Sequence, residues 1–388
     1  MPADDRRRRR GAREGIPWHA NGEDFRMFYE LFYPLRHTFF GFNVFRYITF
    51  RAAMAGITAF VVCILLGPAV IRFLSRLNLK QGIERAGFSA LYGQHAGKEK
   101  VPTMGGLMVL GAVFASTLLW MDLHNRYVWL CLLVTGWLGA VGFVDDYLKL
   151  AKKNSKGLAA ANKFTGQILL GLAIGIFLYR DSPVWSDVAV PFVKNWFLVL
   201  GPFYILFVAL VITGSSNAVN LTDGLDGLAV GCTLMIALTY AVFSYLTGHA
   251  AFSRYLGIPF IAGAGELAVF CAVLFGSGLG FLWFNAHPAN VFMGDVGALG
   301  LGGALGAVAI FTKKELLLVI VGGIFVLEAL SVILQVASFK FRKQRIFRMA
   351  PIHHHFQLGG LTESKVVIRF WIVSVLLSLL GLATLKLQ

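Results

Sequence analysis

The chain of 388 residues is poor in charge and in cysteine. Charged residues make up 14% of it, whereas an ordinary soluble domain has roughly 25%, which argues against a soluble globular protein. The cysteines lie singly inside apolar runs, and their spacing fits neither a zinc site nor a disulfide framework; they are Cys63, Cys131, Cys232 and Cys271. A P-loop and a dinucleotide-binding glycine motif are also missing, so the usual soluble nucleotide folds are not supported.

Long apolar runs dominate instead, because 57% of the residues are hydrophobic. About ten runs approach the roughly 17–25 residues that a membrane helix needs. We place them at residues 48–66, 104–120, 128–144, 165–179, 196–213, 224–246, 267–283, 296–311, 316–335 and 366–385. The fourth and eighth runs are short, so nine or ten spans are expected. The sequence therefore predicts an all-α, polytopic integral membrane protein with about ten transmembrane helices.

Lysine and arginine are distributed unevenly between the predicted loops. The loops that follow odd-numbered helices hold about three times as many of these residues as the loops that follow even-numbered ones. Positive loops stay in the cytoplasm, so the odd-numbered loops are predicted to face it. All of the polar segments described below fall in those loops, which predicts a single cytoplasmic site.

Residues 1–26 form a basic N-terminal extension that includes an arginine run at residues 6–10. The extension has no apolar core, so it is not a signal peptide, and its charge conflicts with the predicted orientation. Two interpretations stay open: an appended or misassigned start before Met27, or a basic tail resting on anionic lipid. We expect residues 27–388 to form a single membrane-embedded domain.

Carboxylates interrupt the apolar sequence at a few points only. An ionised carboxylate near hydrocarbon costs at least a few kcal/mol, so its default interpretation is functional. Asp145 and Asp146 end the third predicted helix, with Lys149 close behind. The pair predicts a divalent-cation site or a general base tuned by its neighbour, and Mg²⁺ suits such a sparse supply of carboxylates. The alternative is an interfacial acid pair neutralised by lysines.

The segment NAVNLTDGLDG at residues 217–227 lies between two apolar runs. Asp223 and Asp226 are expected to share a face in the first turn of the following helix, where carboxylates suit the helix dipole. Thr222 or Asp223 acting as a plain N-cap is the alternative. Because a cap leaves Asn217 and Asn220 unexplained, we favour ligand recognition by this segment.

Two further segments complete the set. Asp295, in VFMGD at residues 291–295, offers a third carboxylate at the same membrane level, and Phe292 either stacks on a base or packs internally. His353, His354 and His355 cannot all face one ion on a helix or strand, so phosphate binding or orientation of a carboxylate is favoured over a metal triad. An exposed basic loop that touches lipid headgroups is the alternative.

Six motifs in this order resemble those of the polyprenyl-phosphate N-acetylhexosamine-1-phosphate transferases, and among them the branch that uses UDP-N-acetylmuramoyl-pentapeptide. They are PTMGG at 102–106, GFVDD at 142–146, NAVNLTDGLDG at 217–227, GFLWFN at 280–285, VFMGD at 291–295 and RMAPIHHH at 348–355. The resemblance implies ten helices in the bacterial cytoplasmic (inner) membrane and an active site facing the cytoplasm. It implies transfer of phospho-N-acetylmuramoyl-pentapeptide to undecaprenyl phosphate with Mg²⁺, giving lipid I and UMP for peptidoglycan synthesis. No nucleic-acid partner is expected, and a homodimer is left open.

The resemblance also implies roles at the matching positions. Asp145, Asp146 and Asp295 match catalytic aspartates, with Asp295 as the Mg²⁺ ligand and Asp145 as the candidate base. The matching substrate-binding positions are Lys98 and Lys163 for phosphate, and Asn220, Gly224, Leu225, Asp226, Asn285 and Phe292 for uridine, with Asn217 and Asp223 alongside. The triplet His353, His354 and His355 matches the motif that handles substrate.

Two other functions are less favoured by the sequence. A sister transferase that moves N-acetylglucosamine-1-phosphate to the same lipid is less favoured, because the histidine triplet is uninterrupted here. A lipid-linked transporter would carry its acids near the bilayer midplane, whereas these acids cluster at one predicted membrane face.

Overall fold

The computed structural model describes residues 28, 35, 40–76, 101–151, 157–193 and 196–386. The helices within these ranges are α1 (Ile48–Arg76), α2 (Gly106–Trp120), α3 (Arg126–Ala151), α4 (Ala160–Asp181), α5 (Tyr204–Thr222), α6 (Leu228–Thr247), α7 (Ala250–Leu256), α8 (Glu266–Asn285), α9 (Gly294–Phe311), α10 (Glu315–Val321), α11 (Gly323–Arg342), α12 (Ile352–Leu358) and α13 (Glu363–Ala383). Two short strands, β1 (Asp187–Ala189) and β2 (Phe197–Val199), pair in antiparallel register with Asp187 opposite Val199. The remaining regular elements are single 3₁₀ turns at Phe40–Arg46, Pro183–Ser186, Gly201–Phe203 and Thr384–Lys386.

The predicted all-α membrane fold is confirmed. Among the described residues, nine helices are long and apolar enough to cross a membrane, and the shorter apolar helix α2 supplies a tenth candidate. Large apolar side chains cover the outside of the bundle, among them Leu65, Leu210 and Phe341, which are 71%, 67% and 80% exposed. Because these exposed side chains are apolar, the outer surface of the bundle is the surface that faces lipid.

Several helix bounds differ from the predicted runs. The runs expected to be short become helices of 22 residues in α4 and 18 in α9, because backbone hydrogen bonding continues past the charged residues that end a hydropathy run. The fifth helix begins at Tyr204 and not near residue 196, since β2 and a 3₁₀ turn that contains Pro202 precede it. The ninth run is two helices, α10 and α11, which meet at Gly322.

Helix α9 lies at the centre of the bundle. Every residue from Val296 to Phe311 is buried, which suits a helix that is apolar on all sides. Its neighbour α3 approaches closely at Gly142, where an added methyl group would overlap the carbonyl of Asp295. This close approach decides where the end of α3 lies relative to the start of α9, and so places the acidic residues of the two helices side by side.

Candidate active site

Three acidic side chains meet where α3 ends and α9 begins. Asp145 and Asp146 lie in the last turns of α3, Asp295 is the second residue of α9, and one carboxylate oxygen from each lies within 4.8 Å of the other two. Asp145 and Asp146 are 4% and 5% exposed. The two segments that were predicted separately from sequence to carry these acids therefore form one group.

Two lysines bridge the three carboxylates. The ammonium nitrogen of Lys149 lies 2.8 Å from Asp145 Oδ2, 3.6 Å from Asp146 Oδ1 and 2.9 Å from Asp295 Oδ2. Lys163 Nζ lies 3.3 Å from Asp145 Oδ2 and 2.8 Å from Asp295 Oδ2. We call these five residues the acidic centre. With all five ionised, it carries more negative than positive charge.

Backbone amides hold the two α3 carboxylates in place. Leu158 N–H donates to Asp145 Oδ1 at 2.7 Å, and Val296 N–H, in the first turn of α9, donates to Asp146 Oδ2 at 3.3 Å. The second contact also places the Asp146 carboxylate at the N-terminus of α9. The two carboxylates are therefore held in place by the segment between α3 and α4 and by the first turn of α9.

A divalent cation fits this donor set. Carboxylate oxygens are the ligands that Mg²⁺ prefers, and the Lys149 ammonium group already lies at a point within reach of all three acids. The negative charge of the acidic centre also acts on Asp223, which follows α5. Burial, followed by the charges of Asp295 and Asp146, raises the pKa of Asp223 to about 8. Asp145, Asp146 and Asp295 are the residues that could hold a metal ion here.

The turn Asp223–Gly227 lies between α5 and α6, and the prediction for its two acids is wrong. Helix α5 runs through Thr222, and α6 begins only at Leu228 after Gly227, which has a left-handed φ of 79°. Asp223 and Asp226 therefore do not share the first turn of a helix, and neither Thr222 nor Asp223 is an N-cap. The glycines allow a sharp reversal here, which separates the two aspartates that a continuous helix would have aligned.

Asp226 and Asn285 hold this turn in shape. Asp226 Oδ2 accepts from Ala289 N–H at 3.2 Å and lies 2.9 Å from His287 Nδ1. Asn285 Oδ1 accepts from Gly227 N–H at 3.0 Å, and its Nδ2 donates to the Val291 carbonyl at 2.9 Å. Both side chains were predicted to bind substrate, and the structure gives each of them partners within the chain.

Glu363, at the start of α13, supports the same turn from the other side. Its Oε1 accepts from Asp226 N–H at 2.9 Å, while its Oε2 lies 3.8 Å from His287 Nδ1. Asp226, His287 and Glu363 form a second group with metal-ligand potential. Both carboxylates already accept hydrogen bonds from backbone amides. The group is therefore explained by its support of the turn.

Backbone hydrogen bonds join Phe292 to the PTMGG motif. Gly105 N–H donates to the Phe292 carbonyl at 2.8 Å, and Phe292 N–H donates to the Pro102 carbonyl at 2.9 Å. This pairing ties the PTMGG motif to the loop before α9. The half-buried Phe292 ring and Asp295 of the acidic centre thus lie on the same short segment.

Asn217 belongs to the helix interface rather than to the turn. Its Nδ2 donates to Gln167 Oε1 at 2.7 Å and to the Thr213 carbonyl at 2.8 Å, which links α5 to α4. Asn220 is half-buried in the last turns of α5, and Leu225 is buried within the turn. Gly224 is exposed. Lys98 lies outside the residues that the structure describes.

The three histidines lie on the short helix α12 and point to different partners. His353 Nδ1 lies 3.1 Å from Glu328 Oε2, and His354 Nδ1 lies 2.8 Å from Gln357 Oε1. His355 Nδ1 accepts from Arg348 N–H at 3.1 Å. The rings of His353 and His354 lie next to each other, with centroids 4.1 Å apart, but their Nδ1 atoms have different partners.

Several residues at the site were not among the predicted ones. Lys149 bridges all three acids, and its spacing of three and four residues from Asp146 and Asp145 was the signal that could have found it. Glu328 was detectable as a lone carboxylate inside an apolar run. His287 and Glu363 carried no local signal, because only the fold brings them to Asp226.

Comparisons with known proteins identify the family to which the chain belongs. The glycosyl transferase family 4 profile matches residues 128–313, which include α3, α9 and the turn between α5 and α6. Proteins named phospho-N-acetylmuramoyl-pentapeptide-transferase from Pelobacter propionicus and Desulfotalea psychrophila are each 54% identical over 93% of this chain and 100% of their own length. One from Citrifermentans bemidjiense is 52% identical with the same coverage. At this identity and coverage, the chain belongs to the phospho-N-acetylmuramoyl-pentapeptide-transferase family.

Proposed function

We propose that this chain transfers phospho-N-acetylmuramoyl-pentapeptide from UDP-N-acetylmuramoyl-pentapeptide to undecaprenyl phosphate, giving lipid I and UMP. The observation that carries the proposal is the acidic centre, in which three carboxylates from two membrane helices converge on two lysines. It lies at the helix ends, where a lipid phosphate and a soluble nucleotide are able to meet. The curated relatives carry the name of this activity.

The site is proposed to face the cytoplasm from the bacterial cytoplasmic membrane. Lysine and arginine are concentrated in the loops at this end of the bundle, and such loops stay on the cytoplasmic side. UDP-linked precursors are cytoplasmic, so this orientation also gives the nucleotide access to the turn Asp223–Gly227.

The reaction is a phosphoryl transfer, which depends mainly on positioning and charge neutralisation. A phosphate oxygen of the lipid attacks the phosphorus that bears the sugar; the new P–O bond forms as the bond to the UMP oxygen breaks. Asp145 takes the proton of the lipid phosphate, and Lys149 and Lys163 orient and neutralise the phosphate groups. Mg²⁺, which Asp295 would hold, would supply further neutralisation of the diphosphate when bound.

The turn Asp223–Gly227 and Phe292 are proposed to bind the uridine. The turn exposes Gly224 next to the half-buried Asp223, and it is held rigidly by Asn285, Glu363 and Ala289. A rigid turn presents backbone groups to a ligand at little entropic cost. His354 and His355 are proposed to contact the substrate near its phosphates.

UMP release by purified protein in detergent tests this function. We expect release from UDP-N-acetylmuramoyl-pentapeptide only when a polyprenyl phosphate and Mg²⁺ are both present. UDP-N-acetylglucosamine serves as the matched control, because it offers the same nucleotide with another sugar. Equal turnover in excess EDTA, or preference for the control sugar, would contradict the proposal. Vectorial movement of lipid without UMP release would identify a transporter instead.

A further inference from the structure

Glu328 is a buried carboxylate that the proposed chemistry does not use. It is the one acidic residue of α11, a helix long and apolar enough to span the membrane, and it is 0% exposed. A charged group in such a place is costly and is functional by default. Its place in the apolar run therefore calls for a partner and a role.

The partner is His353, which is itself 1% exposed. His353 Nδ1 lies 3.1 Å from Glu328 Oε2, and within the described residues Glu328 Oε1 and His353 Nε2 have no hydrogen-bond partner. A buried carboxylate without a counter-charge or a donor costs several kcal/mol. The imidazole tautomer that carries its proton on Nδ1 supplies this donor to Glu328, and such a bond selects the orientation of the ring.

The other side of the imidazole supports the nucleotide-binding turn. A methyl group added to Gly224 would overlap His353 Nε2 and Cε1, so the turn passes directly over the ring. Only a residue without a side chain fits between the ring and the exposed side of the turn. The position of Gly224 is therefore set by the imidazole beneath it, and the position of the imidazole is set by Glu328.

We propose that Glu328 is a positioning residue for the turn Asp223–Gly227, acting through His353 on the binding of the uridine nucleotide. This inference rests on the proposed function, because it takes the turn as the nucleotide site. It assigns His353 to support of the turn rather than to contact with the reacting phosphates. Glu328 lies beneath the ring and does not touch substrate.

The substitution Glu328→Gln tests the proposal. Glutamine keeps the size and an acceptor oxygen, but it removes the charge and offers an amide that donates as readily as it accepts, so the ring loses its single preferred orientation. We expect the KM for UDP-N-acetylmuramoyl-pentapeptide to rise about tenfold, the size of coupling seen between residues in one contact network. The KM for polyprenyl phosphate and kcat should change less than about threefold.

Glu315→Gln is the matched control. Glu315 is also a buried carboxylate, 2% exposed, but it lies at the other end of α9. We expect its substitution to lower the thermal unfolding temperature in detergent while all kinetic constants stay near the original values. Loss of nucleotide affinity in both variants to the same extent would reduce the role of Glu328 to stability and overturn the proposal.

Direct binding of UMP, measured by calorimetry on the same preparations, separates this inference from the proposed function. If the unsubstituted protein binds UMP but forms no lipid product, the proposed function fails, and weaker UMP binding by Glu328→Gln still supports the inference. If the unsubstituted protein is active and the variant keeps its KM and its UMP affinity, the inference alone fails. A lowered kcat with unchanged KM would place Glu328 in the chemical step and would also overturn it.

Gly224→Ala gives an independent approach to the same contact. The added methyl group would displace His353 without altering the charge of Glu328. We expect a similar rise in KM for the nucleotide. The double variant with Glu328→Gln should have a KM within about threefold of that of the more impaired single variant. Fully additive effects would show that the two positions act separately and would contradict the proposal.

Discussion

Charged residues are buried at both ends of α9, but they are arranged in opposite ways. The acidic centre lies at its start, and Lys313, Lys314 and Glu315 follow its end, about 27 Å away for a helix of 18 residues. Arg51 and Glu266 form a second buried pair at the starts of α1 and α8, on the same side of the bundle as Lys313. We call Arg51, Glu266, Lys313, Lys314 and Glu315 the far end.

Charges at the far end are matched to partners. Arg51 forms a bidentate pair with Glu266, with N–O distances of 2.7 and 2.6 Å, and Asp122 N–H donates to the same carboxylate at 3.2 Å. Lys313 Nζ donates to the Trp185 carbonyl at 2.6 Å and lies 4.9 Å from the centre of the Tyr204 ring. Tyr204 in turn donates to Glu315 at 3.0 Å. Each contact joins opposite or complementary groups.

Charges at the acidic centre are grouped by sign. Three carboxylates share two ammonium groups, and the surplus raises the pKa of Asp223 to about 8 after burial itself. Buried charge therefore does not by itself mark a functional site in a membrane protein. What separates the two ends is that three carboxylates converge on one ammonium group, Lys149, at the acidic centre, whereas the far-end groups have separate partners. Acids that converge on one point form an arrangement that a cation or a substrate is able to balance.

The largest expected effect is the loss of Asp145 at the acidic centre. Asparagine removes the base that takes the proton of the lipid phosphate, so kcat should fall by roughly 10²–10⁴, while the Mg²⁺ dependence stays near normal. Steady-state rates across a Mg²⁺ titration measure both. Restoration of the rate by added Mg²⁺ would reverse the roles given to Asp145 and Asp295.

Asp295→Asn should fail in a different way. Removal of a metal ligand weakens metal binding, so the rate at a fixed low Mg²⁺ concentration should drop by about 100-fold. Part of that loss should return as Mg²⁺ is raised, and the same titration measures it. A rate that stays low at every Mg²⁺ concentration would show that Asp295 acts on the reaction rather than on the metal.

At the far end, Glu266→Gln should affect stability and leave the chemistry alone. It leaves Arg51 buried with half of its pairing, and breaking a buried pair costs about 3–5 kcal/mol. We expect a lower unfolding temperature in detergent and an unchanged KM for the nucleotide. A specific loss of activity in folded protein would contradict the contrast between the two ends.

Lys314 is expected to make the stability of the fold depend on pH. The sign of this dependence is opposite to that of a lysine in a favourable ion pair. Burial lowers the pKa of Lys314 to about 8, although Glu315 partly opposes the shift. Between about pH 8 and its ordinary value of 10.5 the unfolded chain binds the proton and the folded chain does not, so stability rises with pH in this window. The gain should reach about 3 kcal/mol.

Lys314→Met should abolish this dependence, because it removes the proton that the unfolded chain binds. Unfolding temperatures of both proteins between pH 7 and 10 give the comparison. A parallel pH trend in the variant would assign the effect to another group.

The smallest expected effect is deletion of residues 1–26, which include neither the acidic centre nor the far end. Membrane insertion and UMP release should stay essentially unchanged, because the residues assigned to the proposed function all lie at or after Lys98. A deleted protein that folds but loses most of its activity would show that the domain proposed for residues 27–388 is incomplete.

Much of the candidate site was predictable from sequence because its signals are local. Asp145, Asp146 and Asp295 stand out as carboxylates beside apolar runs, and Lys163 is part of a basic loop. The polar segment at residues 217–227 was selected from sequence, but the next helix was predicted to begin at residue 224, whereas it begins only at Leu228. Asn217 was selected by its position in a polar motif, yet its amide is bonded to Gln167.

The sequence by itself determined that the protein is embedded in a membrane, the approximate number of membrane-spanning helices and the segments that carry charge. Each of these depends on residue type and on distance along the chain. Only the tertiary structure decided which charges face one another. The close approach at Gly142 sets the acids of α3 against Asp295, and the return of the chain after α11 brings His353 to Glu328 and beneath Gly224. These contacts join residues 25 to 150 positions apart, and no local pattern encodes a distance that packing alone creates.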